Sequence, residues 1–89
     1  MKDAIERALT ILEIRREHNI TSRAVAEAAG VEFRTEYLLE IGGIVERTDA
    51  LKILQALSIL TGKYYTEDNV AGLCITTVHV TRERDRPDP

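Results

Sequence analysis

Two short stretches of helical character, residues 23–29 and 32–41, are separated by little more than one glycine, and this spacing constrains the chain more than any other feature. Thr21 or Ser22 can cap the first stretch by accepting hydrogen bonds from its free amides. Ala24, Ala26, Ala28 and Ala29 keep that helix thin, so a neighbouring helix can approach closely. Gly30 then permits the left-handed backbone that a sharp turn requires. In such a turn Val25 and Ala29 point inward, Ala26 sits where the helices touch, and Val31 and Leu39 seal the other side. Two short helices crossing at a tight turn cannot hold themselves up, so the rest of the chain has to supply a core for them.

The flanking sequence supplies apolar residues at helical spacing. Over residues 3–18, Ile5, Ala8, Leu9 and Leu12 follow the i, i+3, i+4, i+7 rule, with Ile11 and Ile14 widening the stripe and Asn19 as a left-handed stop. Gly42 and Gly43 break the third helix. Thr48 or Asp49 caps a fourth at residues 50–61, where Leu51, Ile53, Leu54, Ala56, Leu57, Ile59 and Leu60 are apolar on so many sides that a central position follows; Gly62 ends it. A fifth, short helix over residues 66–71 is expected from Thr66 as cap with Glu67 and Asp68 in its first turn, where negative charge meets the positive end of the helix dipole.

Residues 73–81 are rich in Ile, Val and Thr, the β-branched types that suit a pleated strand. No other stretch reads as a strand to pair with it, and an isolated strand leaves unpaired backbone groups. The expected partner is the same strand of a second copy, with Leu73, Ile75, Val78 and Val80 making the dimer contact. Residues 82–89 are charged, carry both prolines, and are expected to form a frayed tail. With 89 residues the chain is read as one domain over residues 1–71, a dimerisation strand over 72–81 and the tail.

Charge narrows the function. Twelve Lys and Arg against fifteen Asp and Glu give a net charge of -3, which argues against a protein that coats nucleic acid without regard to sequence. One cysteine, Cys74, rules out an internal disulfide, and Lys2, Asp3, Glu6 and Arg7 stand where a signal peptide would need an apolar run, so the cytoplasm is the expected compartment. No apolar run approaches membrane-spanning length, and no membrane partner is expected. An enzyme is not expected either. Cys74 and His79 fall on opposite faces of a strand, His18 reads as a polar helix cap, the two histidines and one cysteine lack metal-ligand spacing, and there is no glycine-rich phosphate loop. Neither a cofactor nor a metal is implied.

The pattern Ile11, Ile14-Arg15, Ile20-Thr21, Val25-Ala26, Gly30-Val31, Leu39-Glu40, Gly42, continuing through Ile53, Ala56, Leu57 and Leu60 to Val70, resembles the phage repressor and Cro class of helix-turn-helix proteins. The resemblance covers roughly residues 9–70. It implies a mainly α, five-helix domain in which Arg15 pairs with Glu40, a charge-assisted bidentate contact that ties the first helix to the end of the third. It also implies a sequence-specific DNA-binding transcriptional regulator, bacterial or phage, acting on double-stranded DNA as a homodimer. The third helix would enter the major groove with Glu32, Phe33, Arg34, Tyr37 and Leu38 as its reading face, while Ser22 and Arg23 touch the backbone. The chain departs from the class at Ser22, where a Gln is common, and at Glu36, where an apolar residue usually faces the core.

Several of these residues have two readings. Arg16 and Arg23 are phosphate clamps or solvated surface cations. Phe33 and Tyr37 stack on bases, or pack on each other at their i, i+4 spacing. Tyr64 and Tyr65 anchor a partner or cover the end of the core. Across residues 15–52 the cations Arg15, Arg16, Arg23, Arg34, Arg47 and Lys52 meet the carboxylates Glu17, Glu27, Glu32, Glu36, Glu40, Glu46 and Asp49, six against seven. This balance motivates a second reading, a protein-interaction module such as an antitoxin or adaptor subunit that uses an acidic third-helix surface carrying Glu32, Glu36 and Glu46.

Overall fold

A computed structural model of the chain describes residues 8–76. In chain order it contains β1 (Leu9–Thr10), α1 (Ile11–His18), α2 (Ser22–Ala29), α3 (Phe33–Glu40), β2 (Ile44–Glu46), α4 (Arg47–Thr61), β3 (Val70–Ala71) and β4 (Cys74–Thr76). Four helices are formed among the described residues, not five.

The helix ends follow local chemistry. Thr10 opens α1 with a reciprocal capping box: its hydroxyl accepts from the Glu13 amide at 3.2 Å, and the Glu13 carboxylate accepts from the Thr10 amide at 2.9 Å. That cap sets the start of α1 at Ile11, so Leu9 and Thr10, expected inside a longer helix, are strand instead. Thr21 caps α2, accepting from the Ala24 amide at 3.0 Å. The first three helices close alike. Asn19 (φ 55), Gly30 (φ 75) and Gly42 (φ 87) each take the left-handed conformation. The amide of the following residue then reaches back five positions to a carbonyl of the last helical turn: Ile20 to Arg15 at 2.9 Å, Val31 to Ala26 at 3.1 Å, Gly43 to Leu38 at 2.8 Å. Because Ile20 and Val31 also pack on the core, each closure aims the chain into the next helix.

Gly30 has nothing within 4 Å of where a Cβ would stand, so only its backbone conformation resists substitution. Gly30→Ala is expected to lower unfolding free energy by about 1 kcal/mol in urea titration; an unchanged midpoint would show that the turn tolerates a side chain freely.

The core gathers Ile11 and Ile14 from α1, Val25 from α2, Leu39 from α3, Val45 from β2, and Ala50, Ile53, Leu54, Ala56 and Leu57 from α4. The expectation that α4 is apolar all round because it is central holds for one side alone. Leu51, Ile59 and Leu60 are exposed. The helix also begins earlier than expected: Glu46 is both the last residue of β2 and the N-cap, and Asp49 lies inside the first turn. The expected fifth helix is a turn. The Thr66 hydroxyl accepts from the Asp68 amide, the Asn69 side chain accepts from the Thr66 amide at 2.7 Å and donates to the Tyr64 carbonyl. These side chains offer the backbone partners that a helix would otherwise need, and Val70 is already in a strand.

The C-terminal strand is not an orphan. Cys74–Thr76 pairs in parallel with Ile44–Glu46 in the register Ile44↔Cys74, Val45↔Ile75, Glu46↔Thr76, and α4 is the crossover that a parallel pair requires. Leu9–Thr10 pairs in parallel with Val70–Ala71. Leu73 and Ile75, expected at a dimer contact, pack against this chain's own core. The premise that a partner strand must come from outside is thereby removed. Val78 and Val80, with the rest of residues 77–89, lie outside the described residues.

Candidate nucleic-acid interface

The end of α3 is tied to the turn between α1 and α2 by one arginine. Arg15 Nε donates to Glu40 Oε2 at 2.8 Å and Nη2 to Glu40 Oε1 at 3.0 Å, while Nη1 donates to the Ile20 carbonyl at 3.0 Å. The planar guanidinium thus clamps the end of α3 and the turn after α1 at once. Its own pKa is raised, chiefly by the hydrogen bonds to Glu40.

Beside this clamp lies Glu36, 0% exposed, with neither carboxyl oxygen meeting a hydrogen-bond partner. Burial pushes its pKa up to about 9, with the nearby Glu40 carboxylate adding to the shift and Arg15 opposing it. At neutral pH Glu36 is therefore an uncharged acid. It occupies the core-facing position of α3 and is absent from the outer surface. The acidic third-helix surface expected from Glu32, Glu36 and Glu46 is corrected accordingly: Glu36 is buried, Glu46 is half-buried at the end of β2, and Glu32 alone is exposed. With Glu36 neutral, the excess of carboxylates over cations across residues 15–52 disappears.

With Glu36 and Leu39 turned inward, α3 presents Phe33, Arg34, Tyr37 and Leu38 outward. The Phe33 and Tyr37 rings stack, with centroids 6.0 Å apart and planes inclined by 24°. Arg23, one residue inside α2, lies with its guanidinium 5.2 Å from the Phe33 centroid. Arg23, Phe33 and Tyr37 thus form a continuous cation–aromatic stack across the two helices. Both readings of the aromatics apply, since the rings pack on each other yet remain 41% and 50% exposed. Leu38 folds back over Gly43, where a Cβ would stand 2.3 Å from its Cδ1. Ser22 opens α2, half-buried, and Glu32 is the N-cap of α3 without a side-chain cap bond.

No family model, curated protein or solved structure matches the chain.

The expected reading residues Glu32, Phe33, Arg34, Tyr37 and Leu38 share the exposed side of α3, with Arg23 joined to them through Phe33. Sequence reasoning missed that exposed apolar character continues past the helix at Ile41 and Ile44. The signal for Ile44 was its alternation with buried Val45, the mark of a strand. Among the described residues no group of three His, Cys, Asp or Glu is placed to hold a metal ion, and no helix is long and apolar enough to cross a membrane.

Proposed function

We propose that the chain is a sequence-specific DNA-binding regulator of the repressor and Cro type, with α3 as its reading helix. The observation that carries this reading is the outward face of α3. A short α2, a left-handed turn at Gly30 and the Arg15–Glu40 clamp support a rigid pair of helices, and of the two carboxylates expected on the face Glu36 is buried and neutral while Glu32 stays exposed at its start. What remains outward is Arg34, an aromatic pair able to meet a thymine methyl or a sugar, and Arg23 at the start of α2 where phosphate would approach. A homodimer would place two such faces about one helical turn apart on the duplex.

The test is binding to double-stranded fragments at low and moderate salt. Arg34→Ala is expected to relax sequence preference at one position, worth roughly 1–3 kcal/mol, while Arg23→Ala weakens binding on all sequences alike and lowers the salt slope by about one. Absence of binding at micromolar protein even at low salt would sink the proposal.

A second reading is favoured by the apolar character of the same face. Phe33, Tyr37, Leu38 and Ile41 would suit a protein partner in an antitoxin or adaptor. It is distinguished by a stoichiometric complex that forms without DNA, is insensitive to salt, and is lost in Tyr37→Ala.

A further inference from the structure

Away from the residues of α3, α4 and the segment that follows it line an open groove of about 550 Å³, within the size range of small-molecule sites. Its floor is apolar: Leu51, Leu54 and Ile59 from α4, one and two turns apart. Tyr64 and Tyr65 line it from the segment after α4, with Tyr65 also packed against the core. The rim carries Glu67 and Asp68, and no basic side chain lines it.

The wall is held in place before anything binds. The Tyr65 amide donates to Ser58 Oγ at 2.9 Å, the Asn69 side chain donates to the Tyr64 carbonyl at 3.0 Å, and Arg47 pairs with Glu67 from outside the cavity. A site fixed in this way loses little freedom on binding. Tyr64, at 81% exposure, has a ring face open to a ligand.

From this combination we infer that the groove between α4 and residues 64–68 binds an organic cation with an apolar body. The exposed Leu51 and Ile59 take the body, the exposed Tyr64 ring attracts positive charge, and Asp68 supplies a carboxylate that Arg47 does not neutralise. An anion of the same shape meets the unpaired Asp68 carboxylate, with the nearest cation, Arg47, already engaged by Glu67. A second copy of the chain fits less well, because a two-fold contact over this groove would bring the same carboxylates against each other.

Tetraphenylphosphonium and tetraphenylborate, matched in shape and opposite in charge, test this on the full chain by amide chemical-shift titration. The phosphonium is expected to shift Gln55, Ser58, Tyr65 and Asp68 saturably, and to bind about tenfold more tightly than the borate. Asp68→Asn, a change at an exposed position, should weaken the phosphonium by roughly threefold to fivefold and leave the borate no weaker, with thermal unfolding unchanged. Equal binding of the two ions, shifts confined to α3, or no shift at about 1 mM ligand would overturn the inference. So would a sedimentation result in which the groove is covered by a second copy and Ile59→Asp restores the monomer.

Discussion

Glu36→Leu is expected to raise the unfolding free energy at pH 7 by roughly 3 kcal/mol and to remove most of the pH dependence of stability between about pH 5 and 9. The wild-type carboxyl is buried without a hydrogen-bond partner, and its pKa is raised from 4.5 to about 9. Between those values the folded protein holds a proton that the unfolded chain has released. The stability contributed by Glu36 is therefore fully present below the unfolded pKa and falls as pH rises, by up to about 1.4 kcal/mol per pH unit, until the folded group itself ionises. Leucine occupies a similar volume, needs no proton and leaves no oxygen unpaired. Urea titrations at pH 5, 7 and 9 measure both effects. A wild-type stability that is flat across this range, together with a leucine variant no more stable at pH 7, would show that Glu36 has found a partner in solution. Glu36→Gln separates the contributions, because it removes the titration and keeps the polarity.

Arg15→Ala acts in the opposite direction and is expected to cost about 3–5 kcal/mol, a large part of what a domain of this size has. Arg15 is the donor for both oxygens of Glu40 and for the Ile20 carbonyl. Its removal strands a Glu40 side chain that is 6% exposed next to a second buried carboxyl. Arg15→Lys recovers only part of the loss, since a single ammonium cannot reproduce the two-pronged contact and reach the turn as well. The double variant Arg15→Met, Glu40→Met is expected to lie close to wild type, because it removes the stranded charge along with the pair. A double-mutant cycle on unfolding free energy gives the coupling directly, and additive single effects would mean that the clamp is not a unit.

These two experiments bear on one design. The clamp and the buried acid anchor the core-facing side of α3, the helix that also carries Phe33 and Tyr37 of the stack. Loosening the rear should therefore disturb the outward face, although no residue of that face is changed. The cation-binding groove is carried by the other side of α4, so the proposals at the two faces can fail independently.

How much of this was legible in the residues depends on how far each signal reaches. A cap at Thr21 or Ser22, of which the structure takes Thr21, the thin alanine helix, Gly30 as the turn and Gly42 with Gly43 as the stop are local events that act over four or five positions. The Arg15–Glu40 contact spans 25 positions and came from the resemblance, since no local rule links them. Glu36 could be seen to stand at a core-facing position, but its neutrality depends on burial and on the neighbouring Glu40, which no spacing reveals.

The strands show the limit most clearly. Three-residue β2 carries too little pattern to announce itself, and its pairing with Cys74–Thr76 depends on α4 carrying the chain back alongside it. Thr66 looked like a helix cap because its hydroxyl does accept a backbone bond; Asn69, three positions on, turned the segment into a turn. The sequence by itself determined where α2 and α3 lie and that they meet at Gly30, because caps, glycines and apolar spacing are short-range. The tertiary structure alone decided that Leu73 and Ile75 serve this chain's own core, that Glu36 is an uncharged acid, and that one side of α4 is left open, because each depends on residues distant in sequence competing for the same buried space.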